Sequence, residues 1–144
     1  KLARPDLEIV PIRGNVGTRI RKCLEGEVEA TVLARAGLNR LASESAAFGA
    51  ARFHDLAPEI SLPAVGQGAL GIEIREGDEE IAALLAPLED PTTALAVAIE
   101  RGVMRAVDGD CKTPVAAFAE LEGGEVRVRA LLALPDGTDL VRAD

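Results

Sequence analysis

The chain has 144 residues, enough for one ordinary domain or parts of two, and its 48% hydrophobic content suffices for a core. That core has to be built from Ala, Val, Leu and Ile, because Phe48, Phe53 and Phe118 are the only aromatic residues. A formal net charge of −8 argues against nonspecific binding to nucleic acid or an acidic membrane surface.

Residues 7–12 predict an apolar strand that runs into the turn Arg13-Gly14-Asn15-Val16-Gly17-Thr18-Arg19. Two glycines let backbone N–H groups approach a ligand, Thr18 is placed to cap the following helix, and a helix N-terminus favours anions. Arg13 and Arg19 select carboxylate or phosphate, since a guanidinium fork grips planar oxyanions in bidentate fashion. A helix is expected over 17–25, with Ile20, Cys23 and Leu24 on one face, then a buried strand over 29–34. This is a βαβ pattern with a parallel pair, and ligands of such sheets sit outside the carboxyl ends of the strands. A small-residue helix ends near Leu41, an irregular stretch continues through Phe53, and Pro63-Ala64 reads as a hinge. Residues 69–75 alternate as a strand, and Asp78-Glu79-Glu80 opens an amphipathic helix.

Asp90-Pro91 marks the start of a further helix, running to about Val107. After the loop Asp108-Gly109-Asp110-Cys111-Lys112-Thr113, residues 114–121 and 125–134 alternate around Glu122-Gly123-Gly124, and Pro135-Asp136-Gly137-Thr138 turns the chain into a last strand. An antiparallel meander packed on helix 91–107 is the expected result. The fold class is α/β: a βαβ portion followed by a small α+β domain with a three-stranded antiparallel sheet.

Four motifs stand in one register: the Arg13–Arg19 turn, Ala36-Gly37-Leu38-Asn39-Arg40-Leu41, the run Leu62-Pro63-Ala64-Val65-Gly66-Gln67-Gly68-Ala69-Leu70-Gly71-Ile72-Glu73, and the loop around Cys111. In this order they resemble the porphobilinogen deaminase family, over essentially the whole chain. The resemblance implies an enzyme that deaminates porphobilinogen and joins four pyrroles into linear hydroxymethylbilane, in tetrapyrrole biosynthesis. It also implies that the βαβ portion is periplasmic-binding-protein-like, with a second-domain portion at 1–63, a hinge and segment returning to the first domain at 64–89, and a truncated third domain at 90–144.

Each porphobilinogen unit carries an acetate and a propionate, so the resemblance casts Arg13, Arg19 and Arg40 as carboxylate ligands for cofactor and substrate. Ala34, Gly37 and Gln67 line the cleft by the same resemblance. Cys111 matches the cysteine that holds the family's dipyrromethane cofactor through a thioether, as the anchor of a primer and not a turnover nucleophile. Asp110 stands where the family usually has glycine. Cys23 is expected in a helix core, His54 in solvent, and Glu73, Glu100 and the 78–80 cluster as solvated or paired surface groups. No catalytic residue is assigned within these residues: the family's aspartate belongs to an N-terminal region that no motif here matches, and both chain boundaries look cut. The other reading is a noncatalytic small-carboxylate-binding module of periplasmic-binding-protein type, which has no use for Cys111. No metal, nucleic acid or membrane partner is expected. No secretory signal is visible, no apolar run approaches the roughly 18–20 residues that span a bilayer, and the two cysteines form no CxxC, so a reducing cytoplasm is expected. The resemblance implies that the intact enzyme is a monomer.

Overall fold

A computed structural model describes residues 4–41 and 46–144. The chain divides into two compact units, Lys1–Leu56 and Ala57–Asp144.

In the first unit, helix α1 spans Val16–Leu24. Its N-cap is Asn15, whose side chain accepts from the Thr18 amide at 2.8 Å, and not Thr18 as the sequence suggested. Asn15 precedes the first helical residue and has an extended backbone, so its short side chain folds back onto an otherwise unpaired amide, whereas Thr18 already lies inside the helix. Ile20 is buried, Cys23 half-buried and Leu24 exposed, which narrows the expected apolar face. Helix α2 spans Arg35–Leu41, and a short 3₁₀ turn follows at Ala46–Ala50. Phe53 meets Phe48 edge-on, ring centroids 6.5 Å apart.

Three expected strands, 7–12, 29–34 and 69–75, do not form. A strand exists only when a neighbour takes its alternate N–H and C=O groups, and among the described residues these segments have none. Their side chains show the same thing: Ile9 is 68% exposed, Val32 75% and Leu70 74%. The parallel βαβ pair is therefore absent from this structure. The coarser architecture stands, with helices and one three-stranded antiparallel sheet.

That sheet lies in the second unit. Helix α3, Glu79–Leu85, starts at Asp78, whose carboxylate accepts from the Ile81 amide. Helix α4, Pro91–Ala106, is capped by Asp90, which accepts from the Thr93 amide at 2.7 Å, and the Pro91 ring is tolerated where no intrahelical N–H is needed. Strands β1 (Val115–Glu122), β2 (Glu125–Leu132) and β3 (Val141–Ala143) pair in the order β1-β2-β3. Gly123 and Gly124 both have positive φ, 59° and 85°, as a two-residue hairpin turn requires, and Glu122 pairs with Glu125 across it.

The core is thin and lies where β1 meets α4. Val115, Ala117 and Ala119 are buried on one face of β1, and their partners Leu132, Ala130 and Val128 share that face. On the other face Arg129 is only 8% exposed, bonded to Glu59 and Glu120 at 2.5 Å each and lying 5.4 Å from the Phe118 ring centroid.

Candidate functional site

The glycine turn before α1 is fixed by sterics. Gly14 has φ +123°, and a Cβ there would lie 2.6 Å from Thr18 Cγ2 and 2.8 Å from Thr18 Cβ. Only glycine fits. The Gly14 carbonyl accepts from Arg19 Nε at 2.9 Å, which tethers the guanidinium to the turn through one of its five donors. Arg13 is exposed beside this turn.

Helix α2 begins at the second extended segment, with the Ala34 carbonyl accepting from the amides of Gly37 and Leu38 at 3.1 and 3.3 Å. Gly37 faces the first turn of α1: a Cβ on it would stand 3.8 Å from Val16 Cγ2. The first turns of the two helices thus lie together at Val16 and Gly37. Arg40 lies in the last turn of α2 and is exposed.

Two further sites belong to the second unit. Gln67 occupies an exposed turn between Gly66 and Gly68, with φ of +70° and +87°, and its amide donates to the Ala64 carbonyl at 2.9 Å. Cys111 is exposed and free of any disulfide. Its loop is held from both sides. Upstream, the Gly109 amide returns to the Met104 carbonyl and the Asp108 amide to the Arg105 carbonyl, with Asp108 at φ +50°, so a Schellman-type ending stops α4. A Cβ at Gly109 would come within 2.9 Å of Met104 Sδ.

Downstream, Asp110 Oδ1 accepts from the Lys112 amide at 2.8 Å, the Thr113 amide at 3.0 Å and Thr113 Oγ1 at 3.1 Å, while its own amide donates to Thr113 Oγ1. The Lys112 amide above all, with the Thr113 hydroxyl, holds the Asp110 carboxyl below the usual carboxylate range. Asp110 thereby shapes the loop around the cysteine by its own side chain.

Glu100 is the residue that sequence reasoning misplaced. Expected at the surface, it is 6% exposed, and its two oxygens accept from the amides of Gly66 (2.7 Å) and Ala119 (3.0 Å). A signal was present: Ala96, Val97, Val103 and Met104 stand three or four positions away on either side, so Glu100 interrupts an apolar stripe. His54, Glu73, Glu79 and Glu80 are exposed. Among the described residues no group of His, Cys, Asp or Glu is arranged to hold a metal ion, and no single helix is long and apolar enough to cross a membrane.

Residues 1–83 match the family model described as porphobilinogen deaminase, dipyromethane cofactor binding domain, and residues 94–143 match the porphobilinogen deaminase C-terminal domain. The chain belongs to the porphobilinogen deaminase family. It is 54% identical over 142 residues to a protein of Sorangium cellulosum (strain So ce56) named porphobilinogen deaminase. That alignment covers 99% of this chain and 46% of the relative, so the chain spans about half the length of the curated relative it matches. Family membership leaves the simple carboxylate-binding module without support.

Proposed function

We propose that this chain carries the carboxylate clamp and the cofactor anchor of a hydroxymethylbilane synthase, the transferase that deaminates porphobilinogen and joins four units into linear hydroxymethylbilane. The observation that carries this reading is Cys111: a free, exposed thiol at the apex of a loop pinned on both sides, within the family's C-terminal domain. A thioether to dipyrromethane requires an accessible sulfur that is presented without rearrangement, and the loop meets that requirement. Bound there, the dipyrromethane supplies the pyrrole end from which the chain grows.

The remaining roles belong to side chains. Arg13, Arg19 and Arg40 bind the acetate and propionate groups of cofactor and substrate, with Arg19 tethered through Nε to the Gly14 carbonyl. Ala34 and Gly37 carry little or no side chain at the start of α2, which admits a flat pyrrole ring close to the backbone. Gln67 offers a neutral amide, donor and acceptor, to the substrate. The catalytic carboxylate is assigned to a further, N-terminal portion of the enzyme, in keeping with the 46% coverage of the relative.

The domain reading accompanies this assignment. Residues 1–63 are taken as part of a periplasmic-binding-protein-like second domain, in which 7–12 and 29–34 become strands once neighbours pair with them. Residues 64–89 return to the first domain, and 90–144 form the anchoring domain of a monomeric, cytoplasmic enzyme.

The test is the intact mass of the denatured, complete protein. A mass excess of one dipyrromethane is expected, lost in Cys111→Ser and retained in Cys23→Ala. An adduct mapped to Cys23, or none in freshly expressed active protein, overturns the anchor.

A further inference from the structure

We infer that Glu100 is a positioning residue for the Gln67 turn, locking it to the helix–strand body that begins and ends the Cys111 loop. This rests on the proposed role of Gln67 toward porphobilinogen. The argument starts from what the turn lacks. Gly66 and Gly68 both have left-handed backbone, and the residues around Gln67 belong to no helix or strand. Such a segment has many conformations open to it and needs an external anchor to keep one.

Glu100 supplies that anchor. Its Oε2 accepts from the Gly66 amide at 2.7 Å, 34 residues away in sequence, and its Oε1 accepts from the Ala119 amide at 3.0 Å. Ala119 lies in β1, at the edge of the sheet, and Glu100 lies in the middle of α4. One carboxylate therefore joins a turn, a helix and an edge strand. A carboxylate held at 6% exposure is costly unless hydrogen-bonded, and both of its oxygens are engaged by backbone donors. The neighbouring Val97 reinforces the contact, since a Cβ at Gly66 would stand 3.8 Å from Val97 Cγ1.

No uncharged isostere repeats this arrangement. Glutamine has one acceptor oxygen, and its NH₂ would face an amide donor. Glu100→Gln must therefore release one of the two amides, and the turn is freer to leave than a strand residue paired in the sheet. If the released turn holds the competent geometry about one tenth of the time, apparent substrate affinity falls about tenfold, while saturated turnover is preserved.

The experiment is residue-resolved amide exchange together with steady-state kinetics on the complete, cofactor-loaded enzyme. In the wild type, Gly66 is expected to be protected alongside Ala119, far above its exposed neighbour Gly68. In Glu100→Gln, Gly66 exchange should accelerate at least about tenfold, and KM for porphobilinogen should rise about tenfold with kcat changed less than about twofold. Glu100→Asp keeps the charge but is one methylene short of both amides. It carries the same expectation and serves if Glu100→Gln does not fold. A wild-type Gly66 that exchanges like a free loop amide overturns the clamp, and no variant is needed to see it. Release of Gly66 with KM unchanged overturns the positioning role. A loaded wild type that consumes no porphobilinogen refutes the proposed function itself and the positioning role with it, whatever Gly66 does.

Discussion

Gly14→Ala tests whether the arginine turn is fixed by backbone sterics. At φ +123° a non-glycine residue costs about 1–3 kcal/mol, and its Cβ would stand 2.6 Å from Thr18 Cγ2, where carbon atoms at rest sit about 3.5–4.0 Å apart. Relief means moving Thr18, which breaks the Asn15 cap at 2.8 Å, an interaction worth about 1 kcal/mol. The expected total is about 2–4 kcal/mol, a factor of roughly 30 to 1,000 in the folding equilibrium of this unit.

Gly26→Ala is the control, because Gly26 has φ +80° with nothing within 4 Å of the added Cβ. It suffers the backbone term alone, about 1 kcal/mol. Urea melts of the two variants, followed by far-UV circular dichroism because the chain has no Trp or Tyr, give the difference directly. Equal losses would show that Thr18 yields freely, and a Gly14→Ala cost below that of Gly26→Ala would refute the steric reasoning outright.

Three further outcomes are expected. Asp110 has its pKa lowered in the folded state, so its contribution to the Cys111 loop is fully present above the ordinary 3.8 and is lost as pH falls through the lower folded value. The Lys112 and Thr113 amide shifts should therefore hold constant down to that region and move only below it; movement near neutral pH would contradict the assignment. Arg19→Lys loses both the Nε bond to Gly14 and the fork, and at about 1.5–3 kcal/mol for a charge-assisted bond should weaken porphobilinogen binding roughly 10- to 150-fold. A melt that falls in step with binding would make Arg19 structural instead. Finally, Leu70 (74% exposed), Ile72 (60%), Leu84 (71%) and Leu88 (69%) lie within nineteen residues of one another, so the isolated 144-residue chain should self-associate in sedimentation velocity as concentration rises. A single monomeric species at all concentrations would contradict this.

Local chemistry was legible in the residues alone. Asp90-Pro91 caps and opens α4, Gly123-Gly124 turns the hairpin, and Gly14 permits the arginine turn, because each feature depends on atoms within a few residues of one another. The β1–β2 meander was legible for the same reason: its partners are joined by a two-residue loop. The cap on α1 was misassigned by three positions, since Asn15 and Thr18 both suit a helix start and only backbone geometry chooses between them.

Tertiary structure decided the rest. Segments 7–12, 29–34 and 69–75 have strand-like alternation, yet alternation describes one face of a strand and says nothing of whether a neighbour exists to take its amides. Arg129 and Glu100 show the converse. Glu100 reads as a surface charge in the sequence, yet both are buried because partners distant in sequence come to them: Glu59, 70 residues from Arg129, and Gly66, 34 residues from Glu100. A charged side chain is buried only where the folded chain supplies its hydrogen bonds, and that supply exists only after the segments have met.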